Sequence, residues 1–190
     1  MSIQSRENLL QAAIRGIEPP AVRMVAGAEG LSPAVLLKLV AAGRAVIMQR
    51  DGKPPLGIGE GLRTKVNANV GTSADLIDPD GEVEKAMAAE KYGADTVTDL
   101  SMGGPIDEIF RRIKEATSVP LTTVPIYQAV AEKGSFSSIT GGEILRTIRK
   151  QIGAGASSVV VHAAITLEML VDLKWSNRIM GVVTKGGYFT

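Results

Sequence analysis

Not one cysteine occurs in the 190 residues. That removes disulfides, thiolate zinc sites and cysteine-ligated iron–sulfur clusters from anything these residues build by themselves. Histidine occurs once, at position 162. Charge of one sign is missing too: 21 Lys and Arg stand against 20 Asp and Glu. A net charge of +1 supplies neither the basic field that nucleic acid requires nor a basic face for a membrane surface. Apolar runs stay short of the roughly 20 residues of a membrane span. The opening MSIQSRENLLQAAIRG is amphipathic, with scattered charge in place of an apolar leader core. A cytoplasmic protein acting on a small molecule is expected, with no nucleic-acid or membrane partner. What is present is ordinary for a folded domain: 45% hydrophobic and 22% charged residues in a chain long enough for a sizeable core.

Periodicity and punctuation divide the chain near residue 60. Residues 1–60 read as a helical segment: a helix over 5–17 capped by Ser5, a second opened by Ser32-Pro33 and stopped by Gly43, a short strand AVIMQ over 45–49, then the loop DGKPPLGIGEG. From residue 61 a regular alternation begins. Strands are expected at TKVNANVG, ADTVTDLS, VPLTTVPIYQ, ASSVVVHAAI and RIMGVVTKGG. Helices fall between them, the first capped by Asp80 and ended by Gly93. Each connection has room for a crossover helix, so five parallel strands of an α/β fold are predicted.

Two architectures use this alternation, the doubly wound sheet and the (β/α)8 barrel. The first expects G-x-G-x-x-G after its opening strand, whereas Gly57-Ile58-Gly59-Glu60-Gly61 precedes the strand with the wrong spacing. The barrel demands polar residues where strands end. Asn69, Asp99, Ser101, Tyr127, His162 and the pair Thr184-Lys185 meet that demand.

Each of these residues has a plain reading beside the functional one. A lone His162 behind a VVV run fits a hydrogen-bonded structural residue as well as a ligand contact. Asn67 and Asn69, on one strand face with Lys65, are either strand-end amides or a polar site. Asp99 either holds a cationic ligand, orients Lys185 or caps the helix that follows. VTKGG at 183–187 suits a phosphate, through backbone N–H groups and a lysine, or a simple turn. No paired hydrolytic carboxylates, nucleophile elbow or Walker loop appear.

GLRTKVNANVGTS, GADTVTDLSMGG, VPIYQA, VVVHAAI and VVTKGG, in this order, resemble the phosphomethylpyrimidine synthase family of thiamine biosynthesis from about residue 20 onward. The resemblance implies a radical S-adenosylmethionine enzyme, a carbon–carbon lyase, on a (β/α)8 barrel. Its substrate would be 5-aminoimidazole ribonucleotide and its product hydroxymethylpyrimidine phosphate. By position the family's substrate-binding residues fall on Asn69, Tyr127 and His162. Its phosphate-binding Ser-Arg-Gly falls on Thr184, Lys185 and Gly186. Thr98 stands where the family usually has Met in DTVMDLS, so it too faces the expected substrate. Lys185 replaces a bidentate arginine by a point charge, and VIMQRDGKP replaces an IPAN-type stretch. These departures keep a paralogue in view, the hydroxybenzimidazole synthase of cobamide lower-ligand biosynthesis.

The family continues beyond its SRGG with three more strands, metal-binding His and Glu residues and a cysteine motif for a [4Fe–4S] cluster. The expectation is therefore a partial barrel, silent as a lone polypeptide, that holds neither S-adenosylmethionine nor cluster nor divalent metal by itself. It would self-associate through open sheet edges or pair with a C-terminal portion. The rivals are a non-catalytic ribonucleotide-binding or assembly paralogue, and an acid–base enzyme working through His162 and Asp99.

Overall fold

The computed structural model describes residues 8–162, 166–177 and 179. Helix α1 (Leu9–Ile14) starts at Asn8, whose side chain accepts from the Gln11 N–H while Gln11 accepts from the Asn8 N–H. This reciprocal box satisfies two donors that a helix start leaves open. Asn8, not Ser5, is the cap; Ser5 lies outside the described residues. Helix α2 (Pro20–Glu29) has no counterpart among the sequence expectations, because no side-chain cap announces it and only Pro20 at its first position does. Helix α3 (Pro33–Ala41) begins at Ser32, which accepts from the Val35 N–H as its sequence predicts.

Strands β1 (Ala45–Met48) and β2 (Leu56–Gly59) then pair antiparallel, with Val46 opposite Ile58. β2 corrects the expectation of a loop over residues 51–61. Its glycines are there for close approach: a Cβ on Gly57 would lie 2.4 Å from Val25 Cγ1, and one on Gly59 would lie 2.4 Å from the Arg44 carbonyl oxygen. Val22, Val25, Ala26, Leu36, Val40 and Ala45 close a first core beneath this hairpin.

The second core belongs to the alternating part, which runs β3 (Asn67–Val70), α4 (Pro79–Lys91), β4 (Thr96–Asp99), α5 (Ile106–Ala116), β5 (Leu121–Thr123), α6 (Pro125–Lys133), α7 (Gly141–Ala154), β6 (Ser158–Val159) and α8 (Leu167–Trp175). The strands form one parallel sheet in the order β3-β4-β5-β6. A parallel sheet with helical crossovers, behind a helical N-terminal segment, is the arrangement of a partial (β/α)8 barrel. The expected fifth strand falls, Ile179 apart, outside the described residues. Val70, Val97 and Leu121 meet Ala86 of α4 and Ile109, Phe110 and Ile113 of α5, so one sheet face is covered by helices.

Two local expectations give way to the structure. VPLTTVPIYQ is not one strand: β5 stops at Thr123, and Pro125 opens α6 from its first position, where its fixed φ suits a helix and its missing N–H is not needed. Asp78 rather than Asp80 caps α4, accepting from the Gly81 N–H at 3.0 Å, while Asp80 lies in the first turn.

Arg50, just after β1, ties the two cores together. Its buried guanidinium donates to the Val119 carbonyl at 2.8 Å and to the carbonyl of Lys114 at the end of α5. A cation there also complements the negative end of the helix.

The start of α7 is sensitive to acid. Glu143 accepts from the Thr140 N–H at 2.9 Å and pairs with Lys133. The ammonium first and the Thr140 donors second pull its carboxyl down from 4.5 to about 2. A carboxyl lowered by folding contributes stability that is complete above its unfolded value and is lost as pH falls through its folded one. Glu143→Gln should therefore melt below the parent at neutral pH. The gap should close between pH 4.5 and about 2, as read by circular-dichroism melts; a gap constant with pH refutes the assignment.

Candidate functional site

Parallel strands put all four C-terminal ends on one edge of the sheet, and the turns leaving that edge are stitched to one another. Thr72 donates from its hydroxyl to the Gly103 carbonyl at 2.6 Å and from its N–H to Ser101 Oγ at 3.3 Å. The Gly71 N–H donates to the buried Glu82 carboxylate at 2.6 Å. Asp99 accepts from both the N–H and the hydroxyl of Ser101, at 2.9 and 2.5 Å. Lys185 lies outside the described residues, and Asp99 does not cap the helix that follows, which is entered at Pro105 without a side-chain cap; its bonds to Ser101 hold its own turn. The side chain is also on the helix-covered face, because β4 alternates and Thr98 occupies the other.

That other face carries a polar row. The register sets Asn69 beside Thr98, Thr98 beside Thr122, and Thr122 beside Ser158. The Thr122 and Ser158 hydroxyls share a hydrogen bond of 2.6 Å. One step down the strands, Asn67 Oδ1 accepts from both Thr96 Oγ1 and Thr98 Oγ1 at 2.8 Å, and Asn67 Nδ2 donates to Asn69 Oδ1 at 2.9 Å. Buried Thr96, Thr98 and Thr122 thus share one polar face with the exposed amide of Asn69. Of this row the sequence singles out Thr98 and the two asparagines, while Thr96, Thr122 and Ser158 emerge only from the structure. For Thr96 the signal is the alternate threonines of T-V-T-D, which take the same face as Asn67 and Asn69.

Beyond β5 and β6 the edge carries Tyr127 and His162. Tyr127 sits in the first turn of α6, 5% exposed, and its ring stacks on the exposed His162 with centroids 5.8 Å apart and planes 26° from parallel. Burial raises the Tyr127 hydroxyl above its ordinary value, keeping it protonated as a donor. Asn69 and Thr98 therefore form one group and Tyr127 and His162 another, on the same edge. Thr184, Lys185 and Gly186 lie outside the described residues. Lys65 joins neither group: its ammonium is 2.8 Å from Glu29 at the far end of α2.

A family model described as the radical SAM ThiC family matches residues 8–190. The chain belongs to this family. It is 43% identical over 184 residues to phosphomethylpyrimidine synthase 2 of Methanosarcina barkeri, covering 96% of this chain and 43% of that protein. It is 45% identical over 186 residues to the phosphomethylpyrimidine synthase of Methanopyrus kandleri, with 94% and 43% covered. To that of Thermus thermophilus it is 43% identical over 185 residues, with 94% and 42% covered. The chain thus spans less than half the length of these curated relatives.

Radical SAM chemistry depends on S-adenosylmethionine and an iron–sulfur cluster in the family's full-length members, and the donor set here does not fit a thiolate-ligated cluster. There is no cysteine in the sequence, and among the described residues no three His, Asp or Glu side chains gather as a metal site. What the described residues present at the strand ends is a polar, partly buried surface. Among the described residues no single helix is long and apolar enough to cross a membrane.

Proposed function

We propose that this chain supplies the ribonucleotide-binding edge of a radical S-adenosylmethionine lyase that makes the pyrimidine of thiamine from 5-aminoimidazole ribonucleotide. One observation carries the reading: an outward-facing amide, Asn69, and a stacked Tyr127–His162 pair share the C-terminal edge of a parallel sheet in a chain of this family. Asn69 would hydrogen-bond the heterocycle or ribose. Tyr127 and His162 would line one side of it, and the turn Thr184-Lys185-Gly186 would take the phosphate through a point charge and backbone N–H groups. S-Adenosylmethionine, the cluster and a divalent metal are assigned to residues other than these, so the chain alone is expected to bind without turnover. In the cell it would work as a homo-oligomer or beside a C-terminal portion, in the cytoplasm.

A second reading, the hydroxybenzimidazole synthase of cobamide biosynthesis, draws on the polar Thr98, which is tied to Asn67 where a methionine is usual. It starts from the same ribonucleotide and predicts the same binding.

Calorimetry with 5-aminoimidazole ribonucleotide tests the shared part. The 190-residue chain should bind weakly, and binding should weaken with salt because charge pairs in a wet cleft are screened. Lys185→Ala should reduce affinity more than Thr98→Met. No detectable binding sinks the ribonucleotide site, and binding indifferent to Lys185→Ala sinks the phosphate turn.

A further inference from the structure

We infer that Asn67, held by Thr96 and Thr98, is a positioning residue that fixes which end of the Asn69 amide faces the ligand, so that the ligand atom opposite Asn69 must be a hydrogen-bond acceptor. The ligand part of this inference rests on the ribonucleotide reading; the orientation of the amide does not.

Two buried hydroxyls set the direction of the network. Thr96 and Thr98 are 4% and 5% exposed, and each hydroxyl proton needs an acceptor, because an unsatisfied buried donor is costly. Among the described residues that acceptor is Asn67 Oδ1, at 2.8 Å from both. Were the Asn67 amide turned over, its NH2 would meet two hydroxyl oxygens and both hydroxyl protons would lose their acceptor. The turned form is therefore disfavoured, and the Asn67 oxygen stays on the threonines.

With its oxygen so engaged, Asn67 points its NH2 along the strand and donates to Asn69 Oδ1 at 2.9 Å. The carbonyl end of Asn69 is thus occupied, and among the described residues nothing accepts from its NH2, which is the end left for a ligand. An unprotonated ring nitrogen or a ribose or phosphate oxygen would match it; a ring N–H or an exocyclic amine would not. Thr98, expected as a substrate-facing residue, is 5% exposed and takes part in this orientation through its bond to Asn67.

Asn67→Asp reverses the polarity in a way that a merely structural role does not. Its carboxylate accepts from both threonines and has no proton to give, so Asn69 must turn its NH2 inward to donate, leaving its oxygen outward. Side-chain amide signals of the 15N-labelled 190-residue chain read this without any ligand. In the parent the Asn67 NH2 should be protected from exchange and the Asn69 NH2 open; in Asn67→Asp the Asn69 NH2 should become protected. 5-Aminoimidazole ribonucleotide should then bind about tenfold more weakly, as when one hydrogen-bond donor is lost. The Thr96→Val/Thr98→Val variant removes the bias, and protection should divide between the two amides; it keeps the test open if Asn67→Asp does not fold. An Asn69 NH2 already protected in the parent, or exchange unchanged in the variants, overturns the inference. A parent that binds no ribonucleotide overturns the ribonucleotide reading instead, and amide exchange still decides the orientation.

Discussion

Gly71→Ala should destabilise the chain by on the order of 3 kcal/mol or more and unravel the edge that carries Asn69. Gly71 follows β3 directly, with φ at +125°, in the region that side-chain-bearing residues avoid. Space is the second obstacle. A Cβ at this position would lie 2.4 Å from the Ser101 amide nitrogen and 2.6 Å from the Leu100 carbonyl carbon. Both atoms are backbone, so no side chain can swing away, and the turn after β4 would have to move. That turn is held by Asp99 and by Thr72, so the two networks would fail together. For a domain of this size the melting temperature should fall by about 10 °C. Gly27→Ala is the control. It lies within α2, without a positive φ, and a methyl group there would meet nothing within 4 Å, so it should be neutral or stabilise by up to about 1 kcal/mol. Thermal melts of both variants decide the matter: equal, small effects would mean that the Gly71 turn is soft and does not brace the site.

That turn also shows how much of the site is legible in the sequence. NANVGTS announces itself because amides on a strand are out of place unless something polar meets them. The alternating helices and strands are readable wherever the chain states its own ends: Ser32 before Pro33, Thr140 three residues before Glu143, Thr166 before α8. Sequence misleads where a residue's reason lies elsewhere in space. Gly57 and Gly59 look like turn residues, yet they are glycine because Val25 and Ala45 leave no room for a side chain. Pro125 looks like the end of a strand because a proline can close a strand or open a helix, and α6 decides for the second. Asp99 has several open partners in the sequence, and Ser101, two residues away and not among them, is one that it holds. Motif order alone places Tyr127 and His162 at strand ends, but their stacking depends on α6, a helix that the sequence pattern hides inside an apparent strand.

Lys65→Met should remove about 3 kcal/mol or more, the usual result of taking one partner from a buried ion pair. By alternation Lys65 belongs with the asparagines on one polar face, and the structure gives it a different task. The side chains of Lys65 and Glu29 are 5% and 8% exposed, with nitrogen and oxygen 2.8 Å apart. Glu29 ends α2 and also accepts from the Arg63 N–H at 2.7 Å, so one carboxylate binds the first core to the chain entering β3. Lys65 foremost, and then the Arg63 N–H, lower the Glu29 carboxyl from its ordinary value. With methionine at 65 the carboxylate would remain, stripped of its cation and largely shielded from water. It would then take up a proton more readily, and the variant should regain part of its lost stability as pH falls toward the ordinary carboxyl range, opposite in direction to the parent. Glu29→Gln in the Lys65→Met background supplies a neutral acceptor that still serves the Arg63 N–H, and should recover a substantial part of the loss. The double-mutant cycle is measured by urea unfolding at neutral pH. Additive effects of the two substitutions would show that the pair is uncoupled, and that the lysine stem rather than its charge holds the two cores together.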